Sequence, residues 1–168
     1  MPEQLTLYAP TLGLELPRQT FGKDVANRNL YLALAEHGGF DALTWLTAEE
    51  LPPAALQKAF LPQCYGEREA PRLRASHLLD LHAPCESGVL LRGQPYLAEL
   101  AWQRSAFRRP QAYSLVGLIH TLAPPAVREQ IGAASMAPVQ RWDALICTSP
   151  SVQRAVHSLF DQWEAYVR

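Results

Sequence analysis

The sequence predicts an α/β fold: an open, mostly parallel sheet with helices on both faces. Three observations carry this expectation. Short apolar runs alternate with segments whose apolar residues recur at helical spacing, the pattern of strand-helix-strand units. The two clearest runs, Tyr113 to Ile119 and Ala144 to Cys147, each end on polar residues and lead into Pro-started helical sequence, at Pro124-Pro125 and Pro150. Neighbouring parallel strands read this way when their carboxyl ends form a ligand-facing rim. Finally, 168 residues with 48% apolar and 18% charged content sustain one substantial core and leave no room for a second full domain.

Taken in order, Leu5, Leu7 and Ala9 open a short strand that Pro10 ends. A breaker-rich loop (Gly13, Pro17, Gly22) leads to a helix from Lys23 to His37, where Ala26, Leu30, Ala33, Leu34 and His37 recur at helical spacing and Gly38-Gly39 supplies the stop. Ala42 to Thr47 reads as the second strand. Prolines at 52, 53, 62 and 71 then cut the chain, leaving Ala54 to Phe60 as a short helix. Leu73 to Leu81 is a third strand and His82 to Gly88 a turn-rich patch. The patch precedes the apolar Val89-Leu90-Leu91, and Gln94-Pro95 then starts a helix that Arg108-Arg109-Pro110 ends. After the Tyr113 to Ile119 strand, a helix carries Val127, Ile131 and Ala134 on one face. Ser149 is the N-cap candidate of the last helix, with Pro150 at its first position and Val152, Val156, Leu159, Phe160, Trp163 and Val167 as its apolar stripe. The aromatics Trp102, Trp142 and Trp163 fall in apolar settings that read as core.

Composition narrows the function classes. A net charge of −1 gives no global attraction to nucleic acid or to an anionic membrane. The N-terminus lacks the basic and apolar regions of a signal peptide, and the longest mostly apolar stretch, 112–123, is too short to span a bilayer. The three cysteines are widely separated, which fits reduced thiols in a cytoplasmic protein. There is no GxSxG elbow, no HExxH and no Cys/His cluster at metal spacing; His77 and His82 are poorly placed to share a ligand.

His120 is the sharpest candidate. At the carboxyl end of an apolar strand, within GLIHTLAPP, an imidazole can hydrogen-bond a hydroxyl or carry charge near neutrality, and Thr121 adds a second polar group. A His satisfied by local backbone is the competing explanation. Ser149 is explained as a cap, and a helix N-terminus on such a rim can also receive an anion or a sugar hydroxyl. The loop 12–23, with Gly22-Lys23 at the helix start and Arg18 nearby, would suit an anion electrostatically although it carries no GxGxxG fingerprint. That missing fingerprint weighs against a small nucleotide-dependent enzyme of flavodoxin-like or Rossmann type.

The first loop and FGKDVANRNLYLALAEHGG, the strand ending GLIHTL, and WDALICTSPSVQRAV together resemble the N-terminal Rossmann-like domain of a GT-B glycosyltransferase of the family 4 (group 1) type. The resemblance covers most of the chain in order. It implies residues 1–168 as a single acceptor-side domain, facing a C-terminal donor-binding Rossmann-like domain absent from this chain. It implies that the Gly22 loop, with Lys23 and Arg18, approaches the donor diphosphate and acceptor, that His120 contacts the transferred sugar, and that anomeric configuration is retained. It implies no separate cofactor, the nucleotide-sugar being a substrate, and no metal. The family's spaced glutamate pair, which belongs to the C-terminal domain, does not occur here. A half-cleft cannot exclude water from an activated sugar, so little or no transferase activity is expected of these residues alone. The alternative is a stand-alone α/β binding or interaction module that shares the fold without the chemistry.

Overall fold

The computed structural model describes residues 3–10, 22–48, 51–60 and 71–168. Their elements alternate as β1 (Gln4–Tyr8), α1 (Gly22–His37), β2 (Ala42–Thr47), α2 (Pro53–Phe60), β3 (Arg72–His77), α3 (His82–Ser87), β4 (Val89–Arg92), α4 (Leu97–Ala106), β5 (Ser114–Ile119), α5 (Pro125–Gly132), β6 (Ala144–Cys147) and α6 (Pro150–Val167). The strands form one open six-stranded sheet in the order β3-β2-β1-β4-β5-β6. That order is the Rossmann-like arrangement, in which the connections reverse direction at the middle of the sheet. By chain contacts the protein divides into two compact units, Met1–Leu90 and Leu91–Arg168.

In the first unit β1, β2 and β3 pair in parallel, with Leu7 opposite Trp45 and Trp45 opposite Ala75. Every residue of β2 is buried, including Thr44 and Thr47, as befits an inner strand of a parallel sheet. Trp45, at 0% exposure, is the tryptophan of this core. The helix α1 has nearly the expected bounds, but its buried residues are Tyr31 and Ala35. The expected stripe Ala26, Leu30, Ala33, Leu34 and His37 is rotated by about one residue, so that the large Tyr31 ring is the side chain removed from water.

The third strand is shorter than expected. It stops at His77, where the backbone turns and the Asp80 N–H donates to the His77 carbonyl. Residues read as a turn-rich patch form α3 instead, a short helix closed by Gly88 at φ 73°, in the left-handed region that favours glycine. The Thr6 and Ser87 hydroxyls meet at 2.9 Å, satisfying a polar group inside the buried strand β1.

In the second unit β5 and β6 run parallel, with Gly117 opposite Leu145 and Ile119 opposite Cys147. Leu115, Gly117 and Ile119 are the buried residues of β5. Ile119 packs with Ile131 and Val156, surrounded by Val127, Leu145 and Phe160. Ala134 stays buried but lies in a 3-10 turn, Ala133–Met136, after α5 has ended. Ser149 caps α6 as expected, its Oγ accepting from the Val152 N–H at 3.2 Å. Of the expected apolar stripe on α6, only Val156 is fully buried, and Val167 is 59% exposed.

Two side chains fix the far end of β5 and β6. Arg104 of α4 and Asp143, just before β6, are both fully buried and form a bidentate pair at 2.8 and 2.7 Å. Asp143 also accepts from the backbone N–H groups of Leu115 and Gln140, and Arg104 donates to the Tyr113 carbonyl. Trp102, expected in the core, is 59% exposed. The buried face of α4 is Leu97, Ala98, Leu100, Ala101 and Arg104, which turns position 102 outward at 3.6 residues per turn.

Candidate functional site

The strand ends of the second unit carry the candidate site. Because Ile119 lies opposite Cys147 in a parallel pair, the next residues, His120 and Thr121 on one strand and Thr148 and Ser149 on the other, leave the sheet side by side. The sequence expected a shared rim for His120 and Ser149, and the register places them at adjacent strand ends.

His120 is half-buried, and its Nε2 lies 3.1 Å from the Gly93 carbonyl oxygen. A carbonyl only accepts, so Nε2 carries the proton of this bond. The imidazole thereby ties the end of β5 to the end of β4. The observed bond is to backbone, as the competing explanation for His120 expects, but to a carbonyl 27 residues away on the neighbouring strand end.

The turn from β4 into α4 is held from three sides. Arg92 donates to the Tyr96 carbonyl at 3.1 Å and to the Glu99 carboxylate at 2.9 Å. Its guanidinium also lies over the Tyr96 ring, 5.2 Å from the centroid. Beneath the turn, Gly117 is needed for close approach: a Cβ there would sit 3.0 Å from the Gln94 carbonyl and from methyl groups of Leu97 and Leu145. Arg92, Gly93 and Gly117 were not singled out from the sequence. Only the Gly-Gln-Pro turn signal at 93–95 pointed toward them.

The β5–α5 loop is fixed in the same manner. The Thr121 hydroxyl accepts from the Ala123 N–H at 3.1 Å, and Arg128 donates to the Leu122 and Ala123 carbonyls at 2.8 and 2.6 Å. The rim is thus a set of backbone groups, hydroxyls and one imidazole held by its own hydrogen bonds.

The remaining expected residues lie in the first unit or beyond description. Gly22 and Lys23 are exposed at the start of α1. Arg18 and Cys64 fall outside the described residues. Cys85 and Cys147 are free thiols. Among the described residues no group of His, Cys, Asp and Glu could hold a metal ion, and no helix is long and apolar enough to cross a membrane.

Beside β6, at the edge of the sheet, a groove of about 350 Å³ runs under α6, lined by Leu145, Cys147, Val156, His157, Phe160 and Asp161 among others. It adjoins helix-side residues and does not include His120 or Ser149.

No protein-family model matches the chain, and neither a curated protein nor a solved structure matches it.

Proposed function

We propose that this chain is the N-terminal, acceptor-side half of a retaining glycosyltransferase that moves a sugar from a nucleotide-sugar to an acceptor in the cytoplasm. The observation that supports this most directly is His120 at the end of β5, anchored to Gly93 and adjacent in register to the Ser149 cap. In this reading His120 contacts the transferred sugar, and Thr121 and Ser149 add hydroxyls on the same rim. Gly22, Lys23 and Arg18 serve the donor diphosphate and acceptor. A second Rossmann-like domain supplies the donor side and closes the cleft against water.

The test pairs the 168-residue chain with the downstream coding region, if that region encodes such a domain, and measures sugar transfer from a panel of nucleotide-sugars. The chain alone should give no turnover above background and the joined protein should transfer sugar. In the joined protein, His120→Ala should lower kcat/KM by about 100-fold, the scale of losing a charged or strong hydrogen bond at a reacting group. Robust turnover by the chain alone sinks the half-cleft reading. Wild-type activity of His120→Ala sinks the role given to that residue. A downstream region with no such domain leaves the binding-module reading in its place.

A further inference from the structure

Arg92, the last residue of β4, is buried, its side chain 9% exposed, while the Glu99 side chain it pairs with is 62% exposed. A link to so exposed a carboxylate offsets little of the cost of burying a cation, so the pair alone does not account for an arginine at this place. The guanidinium also bridges its own turn. Its Nη1 donates to the Tyr96 carbonyl four residues on, at 3.1 Å, and closes a loop around Gly93, Gln94 and Pro95. Within that loop Pro95 fixes its own φ, and the Leu97 N–H donates to the Pro95 carbonyl at 3.1 Å. Gly93 has no side chain to restrain its peptide, so the direction of its carbonyl depends on how the loop is closed. That carbonyl accepts from His120 Nε2 at 3.1 Å. The Gln94 carbonyl beside it lies 3.0 Å from where a Gly117 Cβ would be, so β5 is the floor of the loop and leaves it no room to settle inward.

We propose that Arg92 is a positioning residue for His120. By closing the loop it holds the Gly93 carbonyl toward Nε2, which keeps the proton of a neutral imidazole on Nε2, orients the ring, and makes Nδ1 its acceptor nitrogen. A group that meets ligand works only when the residues behind it hold its orientation, and here that support comes from a side chain on the neighbouring strand end. Arg92 itself touches no ligand in this arrangement. The use of the ring on a sugar rests on the function proposed above, whereas its placement by Arg92 does not. A plain structural tie between β4 and α4 makes a different prediction: loss of Arg92 would then loosen His120 no more than the backbone around it.

The test is hydrogen exchange at the His120 Nε2–H, followed by NMR on the uniformly isotope-labelled 168-residue chain with no sugar present, His120→Gln identifying the signal. In the parent this proton should exchange slowly enough to be seen. In Arg92→Met it should exchange about tenfold faster, the scale of one net hydrogen bond, while the backbone N–H groups of β5 keep their parent rates. Arg92→Lys keeps a cationic donor and should restore most of the protection. Where Arg92→Met does not fold, Tyr96→Leu with Glu99→Gln reads the same claim: it removes the ring and the charge that hold the guanidinium, and exchange should quicken about threefold. A parent Nε2–H without protection overturns the proposal. So does parent-like exchange in Arg92→Met, or in the milder pair where that variant does not fold. Equal acceleration across β5, or a lysine that restores nothing, overturns it as well. In the chain joined to a second domain, Arg92→Met should lower kcat/KM about tenfold. Parent activity there, with the exchange altered, would sink the sugar contact given to His120 and leave its placement standing.

Discussion

Removing the Asp143 carboxylate should be among the most damaging single changes to the second unit. The side chain is fully buried and takes both forks of Arg104, at 2.8 and 2.7 Å. It also accepts from two backbone N–H groups, those of Leu115 at 2.8 Å and Gln140 at 2.7 Å. In Asp143→Ala the guanidinium stays buried with its countercharge gone, and those two N–H groups lose their acceptor. Breaking a buried pair from one side costs about 3–5 kcal/mol. At roughly 2–4 °C per kcal/mol for a chain of this size, Tm should fall by about 6–20 °C.

Thermal unfolding followed by circular dichroism, with urea unfolding as a second measure, reads this directly. The paired replacement Arg104→Met with Asp143→Leu separates charge from packing, because it removes both ions together. It should cost less than Asp143→Ala, because no buried charge is stranded, although the Leu115 and Gln140 N–H groups still lose their acceptor. A Tm for Asp143→Ala within 2 °C of the parent, about 1 kcal/mol or less, would refute the reasoning. A double variant as damaged as the single one would show that the stranded charge is not the cause.

Two further outcomes follow from single positions. A Cβ added at Gly132 would fall on the Trp163 indole, so Gly132→Ala should force α5 and α6 apart and cost about 1–3 kcal/mol. Trp163→Ala should make that substitution nearly harmless, and a double-mutant cycle in urea measures the coupling. At the β3–α3 turn, burial raises the Asp80 pKa, but hydrogen bonds from the Ser76 hydroxyl and the His82 and Ala83 N–H groups, with the His82 charge, bring it below the ordinary value. A folded value below the unfolded one contributes stability above about pH 4, and that contribution is lost as pH falls through the folded value. Asp80→Asn should therefore lower stability at pH 7 and flatten its acid dependence below pH 4, readable from urea midpoints.

Much of the architecture was legible along the chain because its signals are local. Ala42 to Thr47 and Ala144 to Cys147 match their strands residue for residue, since short apolar runs bounded by breakers have few alternatives. Ser149-Pro150 marked the start of α6 because a capping oxygen and a proline free of N–H demands act within one turn. Local signals failed where the competition was close. His82 to Gly88 contains a proline and turn formers, yet folds as a short helix against β1, where tertiary packing outweighs weak propensity. Trp102 and Trp45 look alike in sequence, and the phase of α4 and the inner position of β2 send one outward and the other to the core.

The sequence by itself determined the alternation of strands and helices, the cap of α6 and the candidacy of His120, because each depends on neighbours within a few residues. Only the tertiary structure decided the rest. The order β3-β2-β1-β4-β5-β6 brings together strands far apart in the chain. The Arg104 and Asp143 pair joins residues 39 positions apart, and His120 meets Gly93 across 27. A buried charge or rim imidazole is satisfied by whatever the fold carries past it, and no local pattern encodes that partner.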